Sequence, residues 1–176
     1  MRTLAAQLGV AAPSLYHHVP GKVALLDGVH EAVLAEMRPV APTSSVRSNL
    51  EALAREFRRV LLAHPRAVAL FATRPSRGER ALALSEQAVL ALVHAGFVPE
   101  RALAAWQTLA VFVLGHALAE VGEPAGEVDD EAAAPAILDR FPALGAAAAR
   151  GGGDLEPVFE LGLQTLLDGF TRDMAG

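Results

Sequence analysis

The 176-residue sequence contains no cysteine. That excludes a disulfide framework, thiol catalysis and thiolate-bound zinc. Aromatic residues amount to only 5%, which leaves few rings for stacking on a single-stranded nucleic acid. Charge is modest too. Charged residues make up 20% and the net charge is −5, so no overall basic surface advertises nucleic-acid binding. The longest nearly apolar run, Leu109 to Ala119 broken by His116, falls short of the roughly 18 residues that would read as a membrane span. Met1-Arg2-Thr3-Leu4 opens no signal-peptide apolar region, and a soluble cytoplasmic protein is expected. With 52% hydrophobic residues the chain can bury a sizeable core, as one domain or as a small unit joined to a larger one.

What is present is helical periodicity. Alanine and leucine dominate, no strand alternation appears, and the expected fold class is all-α. Gly9-Val10 and Pro20-Gly21 cut residues 1–21 into two very short helices. A connecting helix follows over 22–38, ended by Pro39 and Pro42. The next helix starts near Ser44 to Ser48, where Ser48 and Glu51 have capping-box spacing, and runs to His64 before Pro65. A short helix spans about Arg66 to Ala72. Ser76 and Glu79 repeat the capping-box spacing and open a helix to Ala95, with Gly96 at its C′ position. Pro99 begins the most apolar helix, Pro99 to Val121. An acidic loop over 122–135, an alanine-rich segment from Ala136 to Arg150 and the joint Gly151-Gly152-Gly153 lead to a last helix capped by Asp154. On that helix Leu155, Phe159, Leu163, Leu166 and Phe170 form one stripe. The expected division is 1–38 as a small helical unit with its connecting helix and 39–176 as a helical body.

Charge is distributed unevenly. Residues 1–38 balance three cations against three acids, and residues 1–26 hold no acid at all, while 39–176 carry twelve cations against seventeen acids. Within the first segment, Leu4 and Leu8 share a helix face, Ala5 is small where a second helix could cross, and Gly9 can take a positive φ. Val10 and Leu15 supply an apolar plug. This combination suits a helix-turn-helix, whose second helix enters a DNA major groove. Two short core helices joined by a glycine turn would satisfy part of the pattern. They would leave Ser14, Tyr16, His17 and His18 without an apolar purpose.

The stretch LAAQLGVAAPSLYHHVPGKVALLDGV resembles the DNA-binding segment of the tetracycline-repressor (TetR) family. Leu4, Ala5, Leu8, Gly9, Val10, Leu15, Tyr16, His18, Val19, Lys22, Leu25, Leu26 and Asp27 carry the pattern. A looser likeness continues through Phe57 to Pro75, the turn at Gly96, the Leu114 stretch and the last helix, and is closest to the subgroup with a tetracycline-repressor-like body. The resemblance implies an all-α homodimer that represses transcription from double-stranded operator DNA and leaves it when a small-molecule inducer binds the body. It places Arg2, Ala12, Pro13, Ser14, Tyr16, His17, His18 and Lys22 at the operator. Tyr16, His18 and Lys22 resemble phosphate contacts; Ala12, Pro13, Ser14 and His17 sit where bases are read. So few cations predict a shallow salt dependence. The family pattern also has a helix ahead of this segment. In its absence Leu4, Leu8 and Leu25 are expected to lose apolar cover, and the alternative reading is a helical ligand-binding dimer with weak or lost DNA binding.

For the body, the resemblance puts Leu70 and Phe71 where the tetracycline repressor's metal-binding histidine falls. Arg38 and Leu53 replace other polar drug contacts, while Phe57 and Thr73 are retained. A tetracycline–magnesium receptor is therefore not expected. Leu53, Phe57, Leu70, Thr73, Glu86, Trp106, Phe112 and His116 are the candidate ligand-binding residues, with plain core packing as the competing role for the apolar ones. The Pro99–Val121 and Asp154–Ala175 helices suit an isologous four-helix dimer interface, helped by the small residues Gly115, Ala117 and Gly162. No enzyme, cofactor or metal site is expected. His17 and His18 are adjacent and diverge on a helix, and the sequence holds no H-E-x-x-H, no G-x-S-x-G and no phosphate-binding glycine loop.

Overall fold

A computed structural model of the chain describes residues 1–41, 43, 45–74, 78–122, 140–149 and 154–173. The described residues form nine α-helices: α1 (Arg2–Gln7), α2 (Ala12–His18), α3 (Lys22–Ala35), α4 (Val46–Ala63), α5 (Pro65–Thr73), α6 (Glu79–His94), α7 (Pro99–Val121), α8 (Pro142–Ala148) and α9 (Leu155–Asp173). The all-α expectation holds.

Local chemistry explains most boundaries. Gly9 sits at φ 67°, and the Val10 N–H returns to the Ala5 carbonyl at 3.0 Å, which turns α1 sharply into α2. The cap of α4 is Ser45, whose side chain accepts the Ser48 N–H at 3.2 Å; Ser48 itself lies inside the helix. Pro65 does more than end α4. It is the first residue of α5, where its missing N–H costs no bond. Gly96 at φ 103° closes α6 with paired bonds, Gly96 N to Val93 O at 2.9 Å and Phe97 N to Leu92 O at 3.1 Å. Asp154 Oδ1 accepts the Glu156 N–H at 3.0 Å. Ser76 lies outside the described residues; α6 begins at Glu79 after Gly78. The connecting helix stops at Ala35, short of residue 38, with Glu36 as its C-cap.

The central element is α7, which packs against α4, α5, α6 and α9. Leu109, Val113 and Ala117 of α7, with Phe159 and Leu163 of α9, are fully buried. By length and composition alone α7 could cross a bilayer, since it has 23 residues and an 18-residue window in it reaches a mean hydropathy of 1.6. Counting uninterrupted apolar residues underestimates it. Part of the apolarity has a packing use, on the faces that α4, α5, α6 and α9 cover.

Two of the small residues expected at a dimer face serve the monomer instead. Ala117 is buried, and a Cβ on Gly162 would overlap the Phe112 ring, so this glycine lets α9 close on α7. Gly115 remains exposed with open space before it. The connecting helix α3 lies on α4, α5 and α6, while α1 and α2 pack on each other.

Candidate functional site

Two places combine accessibility with specific chemistry. The first is α2. Leu15 and Val19 turn inward and are half-buried, which leaves Pro13, Ser14, Tyr16, His17 and His18 exposed, with Tyr16 at 49%. Arg2 at the start of α1 and Lys22 at the start of α3 are exposed as well. Ala12 opens α2, but its side chain is outside the described set. With no carboxylate between residues 1 and 26, this face can approach a polyanion without like-charge repulsion. The rings of His17 and His18 do not diverge. They meet edge to face, 5.6 Å between centroids, and among the described residues no group of three His, Asp or Glu side chains could hold a metal. Leu8 is 59% exposed, and Leu4 and Leu25 are half-buried.

The second place is a cavity of about 190 Å³ between four helices and the end of α3, open to solvent beside Val111. Leu34 of α3, Met37 beyond it, Phe57 of α4, Phe71 of α5 and Trp106 of α7 form its walls, and Ser85 of α6 is its polar group. The Phe57 and Phe71 rings meet edge-on, 6.2 Å apart. The indole Nε1–H of Trp106 donates to Ser85 Oγ at 3.0 Å, and Ser85 Oγ donates to the Ala81 carbonyl at 2.9 Å.

Of the eight candidate ligand residues, this cavity takes in Phe57 and Trp106. Leu53 is buried and lines a different cavity of about 220 Å³, shared with Leu50 and Val40. Leu70 is half-buried outside the walls, because the helical phase of α5 turns its neighbour Phe71 inward. Thr73 is exposed and returns its hydroxyl to the Ala69 carbonyl at 2.9 Å. Glu86 is exposed in an open groove between α6 and α7, near Glu79 and Glu100.

Phe112 and His116 belong to a structural cluster at the far end of α7. Phe112 stacks on Phe159 at 5.5 Å, and His116 Nδ1 bonds Glu120 Oε1 at 2.6 Å. Arg58 holds Glu120 with two bonds of 2.8 and 2.7 Å, reaches Glu156 at 2.6 Å and lies over the Phe159 ring. The Arg58 bonds hold the Glu120 carboxyl below its ordinary range against the opposing effect of burial, with His116 adding to them. Sequence reasoning did not single out Leu34, Met37, Phe71 and Ser85 as cavity residues. The three-residue spacings Leu34–Met37 and Val68–Phe71 were the available signal.

Between the two places runs α3, and two carboxylates one turn apart fasten it to the body. Asp27 Oδ1 accepts from Arg74 Nη2 at 2.9 Å, just past α5. Glu31 Oε2 accepts the Arg80 N–H at 3.1 Å, in the first turn of α6, where an anion also meets the favourable end of the helix dipole. A Cβ on Gly78 would overlap the Glu31 carboxylate, so glycine at 78 is what admits it. His30, buried one position earlier, lays its ring against Phe71 at 4.2 Å. Arg38 lies outside the cavity, its backbone N–H donating to Glu56 Oε1 at 2.6 Å.

A further exposed stripe runs along the outer faces of α7 and α9. Ala104, Thr108, Val111 and Gly115 recur at helical spacing on α7, and Val158, Leu161 and Thr165 on α9. Val111 and Leu161 are 69% and 72% exposed, unusually open for large apolar side chains.

Comparisons with known proteins agree with this geometry. The family described as tetracyclin repressor-like, C-terminal domain, matches residues 38–174. An HTH-type transcriptional regulator of Saccharopolyspora erythraea is 39% identical, across 96% of this chain and 74% of its own length. The class A tetracycline repressor protein from transposon 1721 of Escherichia coli is 35% identical, across 97% of this chain and 80% of its own. Among solved structures, the Streptomyces coelicolor TetR family protein ActR in complex with actinorhodin superposes with a TM-score of 0.82 at 27% identity, covering 100% of this chain and 88% of that one.

Proposed function

The chain belongs to the tetracycline-repressor family of ligand-responsive transcriptional regulators, and on that footing we propose how its parts divide the work. Residues 1–38 form the DNA-binding unit and residues 39–176 the ligand-binding and dimerisation body. Arg2, Ala12, Pro13, Ser14, Tyr16, His17, His18 and Lys22 face operator DNA, with α2 in the major groove. The stripe of α7 and α9 joins two copies isologously, so the operator is a palindrome. The protein is a cytoplasmic repressor without enzymatic activity. Its inducer enters the cavity walled by Phe57, Phe71 and Trp106.

The observation that carries this reading is the composition of that cavity wall. Leu34 and Met37 come from the connecting helix and its end, the rest from the body. A bound molecule therefore touches both units at once. Displacing α3 strains its attachments at Arg74 and Arg80 and re-aims α2, which gives the ligand different affinities for the DNA-bound and DNA-free arrangements. Family members bind operator DNA and small molecules as dimers; the ActR structure described above is a complex with actinorhodin. Among the described residues no His, Asp or Glu lines this cavity, which argues against a metal-chelated inducer.

The test is selection of bound duplexes from a random DNA pool. A palindrome with half-sites spaced by about one helical turn, roughly 34–36 Å, or a multiple, is the expected result. Failure to enrich any duplex would overturn the DNA-binding assignment of residues 1–38.

A further inference from the structure

We propose that the cavity selects a small, uncharged aromatic molecule carrying one hydrogen-bond donor, and that Ser85 is the residue that reads this donor. The inference rests on the cavity being the effector site, as proposed above.

Volume sets the size. A dry apolar cavity of about 150 Å³ accommodates benzene, so about 190 Å³ suits one ring or two fused rings. The walls set the shape and polarity. Phe57, Phe71 and Trp106 offer ring faces and edges, and Met37 a polarisable sulfur. Among the described residues, no ionisable side chain lines the cavity. A carboxylate or ammonium group entering here would lose its hydration and gain no counter-charge.

The hydrogen-bond inventory then sets the polar group. A serine hydroxyl has one O–H and two lone pairs. The O–H of Ser85 is committed to the Ala81 carbonyl, and one lone pair to the indole N–H of Trp106. One lone pair is left. The site can therefore accept one further hydrogen bond and has no side-chain donor to offer, because the indole N–H is already spent. A ligand N–H or O–H finds a partner; a ligand that can only accept finds none.

Isothermal titration calorimetry of the full chain with three bicyclic probes tests this: indole, which donates only, quinoline, which accepts only, and the anion 2-naphthoate. At neutral pH indole should bind about fivefold tighter than quinoline, the worth of one net hydrogen bond, and 2-naphthoate should bind weakest of the three. Ser85→Ala removes the acceptor and releases the Trp106 N–H as a donor, so it should reverse the order of indole and quinoline. That reversal is a change a merely structural role would not produce.

Equal binding of indole and quinoline, a preference unchanged in Ser85→Ala, tighter binding of 2-naphthoate, or no binding by any probe would each overturn the proposal. Ala81→Leu and Ala110→Leu, two separate ways of filling the cavity, should abolish binding in whichever variant keeps its native circular dichroism. Binding that survives in both folded variants places the ligand elsewhere, and the effector-site reading fails with it. Loss of binding in either of them, combined with a wrong probe order, would sink only the chemical assignment.

Discussion

The first 21 residues and the body obey different rules. In the first segment Ala5 alone among the described side chains is buried, and the helices α1 and α2 hold their angle through the Gly9 turn and local backbone bonds. In the body, α7 packs against four helices and the largest side chains, Phe159 and Leu109 among them, are fully buried. The body derives its stability from buried apolar area. The N-terminal unit gives up burial and keeps its polar face available. The comparison teaches that the same exposure carries different proposed uses: in α2 a polar face for DNA, on α7 and α9 an apolar face for a second copy.

The largest expected effect falls on the body. Phe159→Ala removes the ring that Phe112 stacks on and Arg58 covers, and should lower unfolding stability by about 3–5 kcal/mol in urea titrations. Leu8→Ala, at an exposed site, should stay within about 0.5 kcal/mol. Similar costs at the two sites would erase the contrast between the regions. Tyr16→Ala should sharpen it from the other side. Operator binding should fall below detection in a mobility-shift titration, while the dimer measured by sedimentation is unchanged. Wild-type operator affinity in this variant would mean that α2 does not face DNA.

The joint between the regions gives an intermediate effect. Gly78→Ala forces the Glu31 carboxylate off the first turn of α6 and should cost about 1–3 kcal/mol of stability, as overpacking does. Adding Glu31→Ala removes the overlap, so the double variant should be more stable than Gly78→Ala alone. Additive losses would show that the two residues are independent.

The smallest effect comes from acid. Two bonds from Arg59, and the Arg38 N–H, hold the Glu56 carboxyl at about 2, below its ordinary 4.5. A depressed folded-state value stabilises the fold above about pH 4.5 and loses that contribution as pH falls toward about 2. Glu56→Gln should flatten the dependence of the urea midpoint on pH across this window, by no more than an exposed ion pair is worth, about 1 kcal/mol or less. An unchanged profile would assign the acid sensitivity to Glu51 or Glu120, whose carboxyls arginine partners also hold low.

Much of the architecture was legible because it depends on neighbours in sequence. Proline at 65 and 99, glycine at 9 and 96 and aspartate at 154 act within one turn of the chain, and each marks a boundary that the structure keeps. Ser48 misled because it has a glutamate three residues on, whereas the cap the structure uses is Ser45, beside the bonds from Thr43 to Asn49. The exposed set on α2 followed from residues that have no use in a core. The ligand residues were less legible. Leu70 and Phe71 are both apolar, and the choice between them depends on a rotation of α5 that α3 and α7 fix from outside. Phe112 and His116 have the chemistry of a pocket wall, but Arg58, distant in sequence, recruits their neighbourhood into an ion-paired cluster.

By itself, then, the sequence determined the helical class, the turn at Gly9, the acid-free face of α2 and the ends of most helices, because these follow from backbone geometry and local side-chain chemistry. Tertiary structure decided which side chains line the cavity, that Ser85 keeps one lone pair unspent, that Gly162 serves Phe112, and that Glu31 reaches α6 past Gly78. Those depend on the approach of segments far apart in the chain, and a distance between packed helices is set by the sum of all the contacts along them rather than by any residue read alone.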